Sequence, residues 1–190
     1  MTLSSTLKTG TQAQHERMHM LMARAEPFAS RERYATFVAA QYLFQRDVAH
    51  LFADPAIAAV IPDLDGRGRT EASRADLADL ATPVPQDDVV TSGIAMPEAI
   101  GWLYVSEGST LGAAFLLKEV GEKLGLTATF GARNLAAYPE GRARAWKRFV
   151  EALDGPALAG LHDRVVAGAN AAYDRFGDLL EARFALHAGA

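Results

Sequence analysis

The chain has 190 residues and no cysteine, which excludes disulfides, thiolate metal sites and cysteine nucleophiles. Its formal net charge of −4 offers no basic footprint for nucleic acid or an anionic membrane surface, so we expect neither as a partner. With 49% hydrophobic residues and no compositional break, residues 1–190 are predicted to form a single domain. The N-terminal residues contain no apolar run of signal-peptide length, so we expect a cytoplasmic protein.

Helical spacing of apolar residues begins near the N-terminus. It predicts a first helix over residues 4–25, with Ser4 or Ser5 as its N-cap and Pro27 just beyond its end. Ser30 can cap a second helix, whose broad apolar face indicates a central packing position.

Two shorter helices are predicted next. Asp54 and Pro55 form the pattern of an N-cap followed by proline at the first helical position. Residues 70–80 have helical spacing, with Thr70 or Ser73 as candidate cap, and a proline-containing loop then leads to Met96.

The most unusual stretch is residues 101–120, an apolar helical pattern that contains Gly101, Gly108 and Gly112 on a shared face. Each interior glycine costs a helix roughly 0.8–1 kcal/mol relative to alanine, so a close contact must offset that cost. Either a tight helix crossing or a flat, bulky ligand would do so. Glu107 lies in the middle of the run, so a membrane span is not expected.

The C-terminal third continues the helical pattern. Residues 126–141 have no sustained period and are predicted to be mostly irregular. Residues 142–153 and 158–186 resume helical spacing, and no convincing strand alternation occurs anywhere in the chain. The predicted fold class is all-α.

Few residues carry recognisable chemistry. Walker-type and nucleophile-elbow motifs are absent from the sequence, so the histidines are the main candidates. His15 and His19 are one helical turn apart. They could bind one metal ion together, form part of a polar surface, or be one metal ligand and its neighbour. Glu16 and His19 also match the Glu-x-x-His spacing of di-iron carboxylate bundles, but the sequence lacks a second such pair.

Several segments together resemble one family, the bacterial haem oxygenases of the biliverdin-producing, Pseudomonas-like branch. The resemblance is nearly chain-long. It is carried by GWLYVSEGSTLGAAFLLK from Gly101, EPFASRERYATFVAAQYLFQRDV from Glu26 with His15 upstream, RADLADL from Arg74, FGARNLA from Phe130, GRARAWKRFV from Gly141 and DRFGDLLE from Asp174.

The resemblance implies an all-helical domain that holds haem b between a proximal helix and a kinked, glycine-containing distal helix. His15 matches the iron-ligating position, and Gly108 and Gly112 match the distal glycines that bring backbone close to the porphyrin. Ser109 is expected either to order water near the bound oxygen or to bond back to a helical carbonyl. The distal segment carries no histidine or arginine, in keeping with oxygen attack on a porphyrin meso carbon.

Three further residues concern how haem is held, and the resemblance bears on two of them. Many family members place glutamate four residues after the ligand, where this chain has His19, so the acceptor for the second ring nitrogen of His15 is either His19 or water. Lys8 lies two helical turns, roughly 10 Å, before His15 on the same face, which suits a haem propionate, and the resemblance suggests a second propionate contact for Lys147. Either these lysines set the rotation of haem, with cleavage at the α-meso carbon, or both are ordinary solvated charges.

The predicted activity is therefore oxidative cleavage of haem to biliverdin, CO and ferrous iron, with haem as substrate and prosthetic group and O2 as co-substrate. No flavin or nicotinamide motif is present, so electrons are expected from a ferredoxin, a flavodoxin or a reductase. A phytochrome is a candidate acceptor of biliverdin. The alternatives are a haem storage or delivery protein and the di-iron oxidase.

Overall fold

The computed structural model describes residues 1–138 and 140–186. Within those residues the chain forms eight α-helices and four short 3₁₀ helices, and no extended strand, which confirms the predicted all-α class. The α-helices are α1 (Leu3–Gly10), α2 (Gln12–Ala25), α3 (Arg31–Ala49), α4 (Pro55–Ala58), α5 (Thr70–Asp79), α6 (Glu98–Leu124), α7 (Arg142–Leu153) and α8 (His162–Phe184). The 3₁₀ helices are His50–Ala53, Leu64–Gly66, Asn134–Ala136 and Pro156–Leu158.

The predicted first helix is two helices, so the single span over residues 4–25 was wrong. Helix α1 ends at Gly10 and α2 begins at Gln12, with Thr11 between them. The Thr11 hydroxyl donates to the Leu7 carbonyl at 2.9 Å, a back-bond of the kind that bends helices. The N-cap of α1 is Thr2, which accepts from the Ser5 backbone N–H, and neither Ser4 nor Ser5 takes that role.

Most other boundaries agree with the sequence pattern. Ser30 caps α3 and Asp54 caps α4, each through its side chain, and α7 has the predicted bounds. The predicted caps of α5 were wrong: Arg69 precedes this helix, and the Thr70 hydroxyl donates instead to the Gln45 carbonyl at 3.0 Å.

The last helix begins at His162, later than predicted. The 3₁₀ helix Pro156–Leu158 ends at the predicted first residue, and residues 159–161 connect it to α8.

Helices α6 and α8 pack against each other through glycine. A Cβ built on Gly101 would overlap the Val165 carbonyl oxygen, and one on Gly168 would overlap the Glu98 carbonyl oxygen. These two glycines let the backbones of α6 and α8 touch. The tight-crossing explanation is therefore correct for Gly101.

One connected apolar core runs through the described helices, with α3 supplying many of its buried side chains. None of the described helices is both long and apolar enough to cross a membrane. The extent of a single domain over residues 1–190 stays a prediction, and residues 187–190 lie outside the described residues. Between α2 and α6 the core opens into a cleft.

Candidate functional site

The cleft has a volume of about 430 Å³, within the range typical of small-molecule and cofactor sites. Helix α2 forms one wall, the middle of α6 forms another, and α3 and α8 supply aromatic side chains between them. Most of the lining side chains are apolar or aromatic: Met18, Met22, Phe37, Phe44, Val105, Ala113, Phe115, Leu116, Leu135, Tyr173 and Phe176. Such a lining suits a broad apolar ligand.

The α6 wall is bare where the glycines lie. Nothing comes within 4 Å of a Cβ built on Gly112, and one built on Gly108 meets only the Trp146 ring at 3.6 Å. Both glycines line the cleft, whereas Gly101 faces α8. The face that the three glycines share thus meets different neighbours along the 27 residues of α6. The expected kink does not interrupt the helix, which is assigned as α throughout.

The α2 wall presents two histidines. His15 and His19 both line the cleft and are exposed, with their ring centroids 4.7 Å apart and the rings nearly perpendicular. The Tyr173 ring stands edge-on to His15 at 6.3 Å. Burial, with a smaller contribution from Tyr104, raises the pKa of Tyr173 to about 12, which disfavours a tyrosinate ligand. The histidines are the suitable metal ligands on this wall.

The inner end of the cleft is polar and incompletely paired. Gln45 is 4% exposed and Arg69 is 7% exposed, yet both line the cleft. In the part of the chain that the structure describes, Gln41 Oε1, Gln45 Oε1 and Arg69 Nη1 are buried without a hydrogen-bond partner. Buried polar atoms are normally satisfied, so this end of the cleft is suited to ordered water or to polar atoms of a ligand.

Arg69 is the site residue that the sequence analysis missed. Its Nη2 donates to the Ser106 carbonyl at 3.0 Å and to Ser109 Oγ at 3.3 Å, and its Nε donates to Asn134 Oδ1 at 3.3 Å. The distal segment itself contains no arginine, but Arg69 reaches it from the loop before α5. In the sequence, Arg69 is an arginine between the glycine-containing loop at Gly66 and Gly68 and the helix that begins at Thr70. That position indicates no particular role.

Ser109 adopts the second of its two expected arrangements. Its hydroxyl donates to the Ser106 carbonyl at 2.6 Å, one turn earlier in α6, while its oxygen accepts from Arg69. Ser109 still lines the cleft, so its oxygen lies at the surface where a ligand would meet α6.

A buried charge cluster lies behind this wall. Arg67 Nη1 donates to Glu107 Oε2 at 2.5 Å, and the Tyr138 hydroxyl donates to the same oxygen at 2.6 Å. Arg69 Nη1 lies 3.9 Å from Glu107 Oε1. Two guanidinium groups therefore flank the buried Glu107 carboxylate, and they connect it to the loop before α5.

The predicted propionate ligands lie outside the cleft lining. Lys8 is exposed in the last turn of α1, beyond the break at Thr11. Lys147 is 77% exposed and pairs with Glu151 of the same helix at 3.7 Å. The structure thus brings together His15, Gly108, Ser109 and Gly112, but not the two lysines.

The di-iron alternative finds no ligand set. Among the described residues no group of three or more histidine or carboxylate side chains is arranged to hold a metal ion. Glu107, the carboxylate that such a site would need, is engaged by Arg67 and Tyr138.

An all-helical fold with an apolar cleft, a histidine on one wall and two glycines on the other is the arrangement of a helical haem protein. The residues present fit haem: Gly108 and Gly112 leave room on α6 for a flat ring, and imidazole is a common iron ligand.

Comparison with known proteins identifies the family. The family model described as "Heme oxygenase" matches residues 1–182. The chain is 50% identical to heme oxygenase PigA of Pseudomonas aeruginosa over 185 residues, which cover 96% of this chain and 93% of the relative. The chain therefore belongs to the haem oxygenase family and is a haem oxygenase, an oxidoreductase that degrades haem. The Pseudomonas-like resemblance is confirmed.

Solved structures agree. The NO- and CO-bound haem oxygenase of Neisseria meningitidis superposes with a TM-score of 0.92 at 36% identity, covering 100% of this chain and 96% of that one. The haem complex of haem oxygenase-1 from Synechocystis has a TM-score of 0.76 at 17% identity, covering 96% and 92%. The second likeness shows the fold alone.

Proposed function

We propose that this cleft binds haem b with His15 as the iron ligand and Gly108 and Gly112 against the opposite porphyrin face. The observation that carries the proposal is the shared cleft of His15 and these two glycines. Haem, when bound, supplies the iron that binds O2 and the meso carbon that is oxidised, so that the products are biliverdin, CO and ferrous iron.

The chain's own residues then hold and orient this substrate. The apolar side chains of the cleft, among them Phe37, Phe44 and Phe176, exclude water from the porphyrin faces. A ligating imidazole needs an acceptor for its second N–H, and His19, with its ring 4.7 Å from that of His15, is placed to serve directly or through a water.

The polar end of the cleft supplies proton donors at a distance. Arg69 Nη2 donates hydrogen bonds to the Ser106 carbonyl and to Ser109 Oγ, whereas Nη1 has no hydrogen-bond partner in the described part of the chain and can donate to a water molecule. The unpaired oxygens of Gln41 and Gln45 can accept from the same waters. These groups would hold ordered water, the proton donor that the reaction needs, at this end of the cleft.

Electrons and product need partners. Because haem degradation consumes electrons and the sequence has no flavin or nicotinamide motif, we propose a ferredoxin, flavodoxin or reductase as donor. A phytochrome is the proposed acceptor of biliverdin. The cytoplasmic location expected from the sequence stays a prediction.

One experiment separates the candidate functions. Purified protein receives one equivalent of haem and then a chemical reductant in air, and the absorbance is followed. Growth of biliverdin absorbance with loss of the Soret band supports the proposal. A Soret band that persists through reduction would instead indicate a haem carrier, and no haem band at all would reject the cleft as a haem site.

A further inference from the structure

The turn of α2 that carries His15 has little apolar anchorage. From Gln12 to Met20 no side chain of this helix is buried, and its buried residues, Leu21 and Ala25, lie in the C-terminal half. Met18 packs only partly against the core. An iron ligand needs a defined position, so interactions other than core packing must fix this turn of α2 relative to the neighbouring helices.

Arg17, two residues after His15, reaches across to α8. Its Nη1 lies 3.5 Å from Asp174 Oδ1, and its Nη2 lies 3.4 Å from Asp178 Oδ1 and 3.1 Å from Glu181 Oε1. The three carboxylates follow the i, i+4, i+7 spacing of one helix face. One partly buried guanidinium thus connects α2 to two turns of α8.

Gly177 makes the seat for this guanidinium. A Cβ built on Gly177 would lie 2.6 Å from Arg17 Nη1, 2.9 Å from Cζ and 3.1 Å from Nη2, and these are its three nearest atoms. Distances this short require the guanidinium to move. A glycine in the interior of α8 costs helix stability, and the fit of Arg17 accounts for its presence.

We propose that Arg17, seated on Gly177, is the positioning residue for His15: it holds the turn of α2 that carries His15 at a fixed distance from α8 and thereby fixes where the imidazole meets the cleft. The inference deepens the proposed function, since it requires His15 to be the iron ligand. Arg17 itself lies outside the cleft lining.

The first test compares haem release from Arg17→Ala with haem release from the wild type, using a haem-scavenging apoprotein in excess. A group bonded directly to a metal ligand contributes roughly 10- to 100-fold to metal affinity, and Arg17 acts on His15 only through the helix, so we expect the release rate to rise by the lower end of that range, about tenfold. The iron–histidine stretching band of the ferrous protein should broaden or shift. Arg17→Lys keeps the positive charge but lacks the planar guanidinium group, so its haem release rate and stretching band should lie between those of Arg17→Ala and the wild type.

Arg164→Ala is the matched control. Arg164 also joins helices by an ion pair, donating to both Glu98 oxygens at 2.7 and 2.8 Å, at the other end of α8. We expect its haem release and stretching band to equal those of the wild type. Wild-type release and an unshifted band in Arg17→Ala would overturn the proposal, as would an equal effect of Arg164→Ala.

A double-mutant cycle tests the seat. Gly177→Ala alone should accelerate haem release as Arg17→Ala does, and adding it to Arg17→Ala should change nothing further. Additive effects would mean that Gly177 acts independently of Arg17, contrary to the proposal. Failure here leaves the proposed function standing if His15→Ala still abolishes the axial histidine band. Retention of that band in His15→Ala would refute the ligand assignment itself.

Discussion

Arg67 and Glu107 form an ion pair in the protein interior, with Nη1 2.5 Å from Oε2 and each side chain only 1% exposed. The pair lies behind the α6 wall of the cleft, and the Tyr138 hydroxyl donates a second hydrogen bond to the same oxygen. The other oxygen, Glu107 Oε1, has no hydrogen-bond partner among the described residues and lies 3.9 Å from Arg69 Nη1. A buried carboxylate is costly unless opposite charge balances it, and Arg67 and Arg69 supply that charge. Removing one partner therefore leaves an uncompensated charge.

Glu107→Gln should lower the free energy of unfolding of the haem-free protein by roughly 3–5 kcal/mol, because Arg67 and Arg69 then lose their carboxylate. Urea denaturation measures this value. Glu98→Gln removes the carboxylate of an exposed ion pair on the same helix and should have a far smaller effect. Equal losses of unfolding free energy in the two variants would show that the buried Glu107 cluster stabilises the fold no more than an exposed ion pair does.

Gly101 and Gly112 should respond oppositely to alanine. Gly101→Ala forces α6 away from α8 and should cost at least about 2 kcal/mol, whereas Gly112→Ala has room and should stabilise the haem-free protein by about 0.5–1 kcal/mol. Urea denaturation of both variants measures the difference. Similar losses in both would contradict the assignment of Gly112 to an open wall.

Gly112→Leu tests the same wall through function. The larger side chain enters the cleft where haem is proposed to lie, so the protein should fold but haem turnover should fall strongly. Normal biliverdin production by this variant would remove Gly112 from the site.

The Asp87 carboxylate should stabilise the folded protein at neutral pH and lose that contribution in acid. The hydrogen bond from Arg175 Nη2 at 2.9 Å, and then that from the Asp88 N–H, hold the pKa of Asp87 below its usual value. A carboxylate with a depressed folded-state pKa stabilises the fold above its unfolded pKa of about 3.9 and loses that contribution as the pH falls through the folded value. The stability difference between wild type and Asp87→Asn should therefore be present at pH 7 and shrink below about pH 4.

Asp88→Asn controls for removing one negative charge from the same loop. Unfolding free energies measured from pH 7 to pH 3 compare all three proteins. A difference between wild type and Asp87→Asn that stays constant, or grows on acidification, would contradict the ion-pair explanation.

Lys8 and Lys147 carry the prediction about haem orientation. If these cations bind the propionates, wild-type protein should release biliverdin IXα alone, and the Lys8→Ala, Lys147→Ala double variant should release a mixture of isomers. Chromatography of the products distinguishes the isomers. Both lysines lie outside the cleft lining, but within the residues that the structure describes only Lys147 is paired with a carboxylate, that of Glu151, so we expect Lys8→Ala to account for more of the change. A single unchanged isomer from the double variant would mean that the lysines do not orient haem.

Sequence reasoning succeeded where local signals act alone. The bounds of α7 follow from Gly141 before it and Asp154-Gly155 after it, and Ser30 and Asp54 are caps because of their own side chains. The break at Thr11 was missed because apolar spacing continues across it, although a hydroxyl back-bond bends the chain there.

The rest of the site depended on tertiary neighbours. Gly101, Gly108 and Gly112 are equivalent in the sequence, and only the path of α8 separates the helix crossing from the open wall. Arg69 lies 40 residues from Ser109, and nothing local announces that the two side chains meet.

The most direct test of this account is the spectrum of haem titrated into the wild type, His15→Ala and His19→Ala. We expect one equivalent of haem with an axial histidine in the wild type and in His19→Ala, and loss of that axial ligand and of turnover in His15→Ala. A wild-type ferric spectrum and normal turnover in His15→Ala, with both lost in His19→Ala, would contradict it.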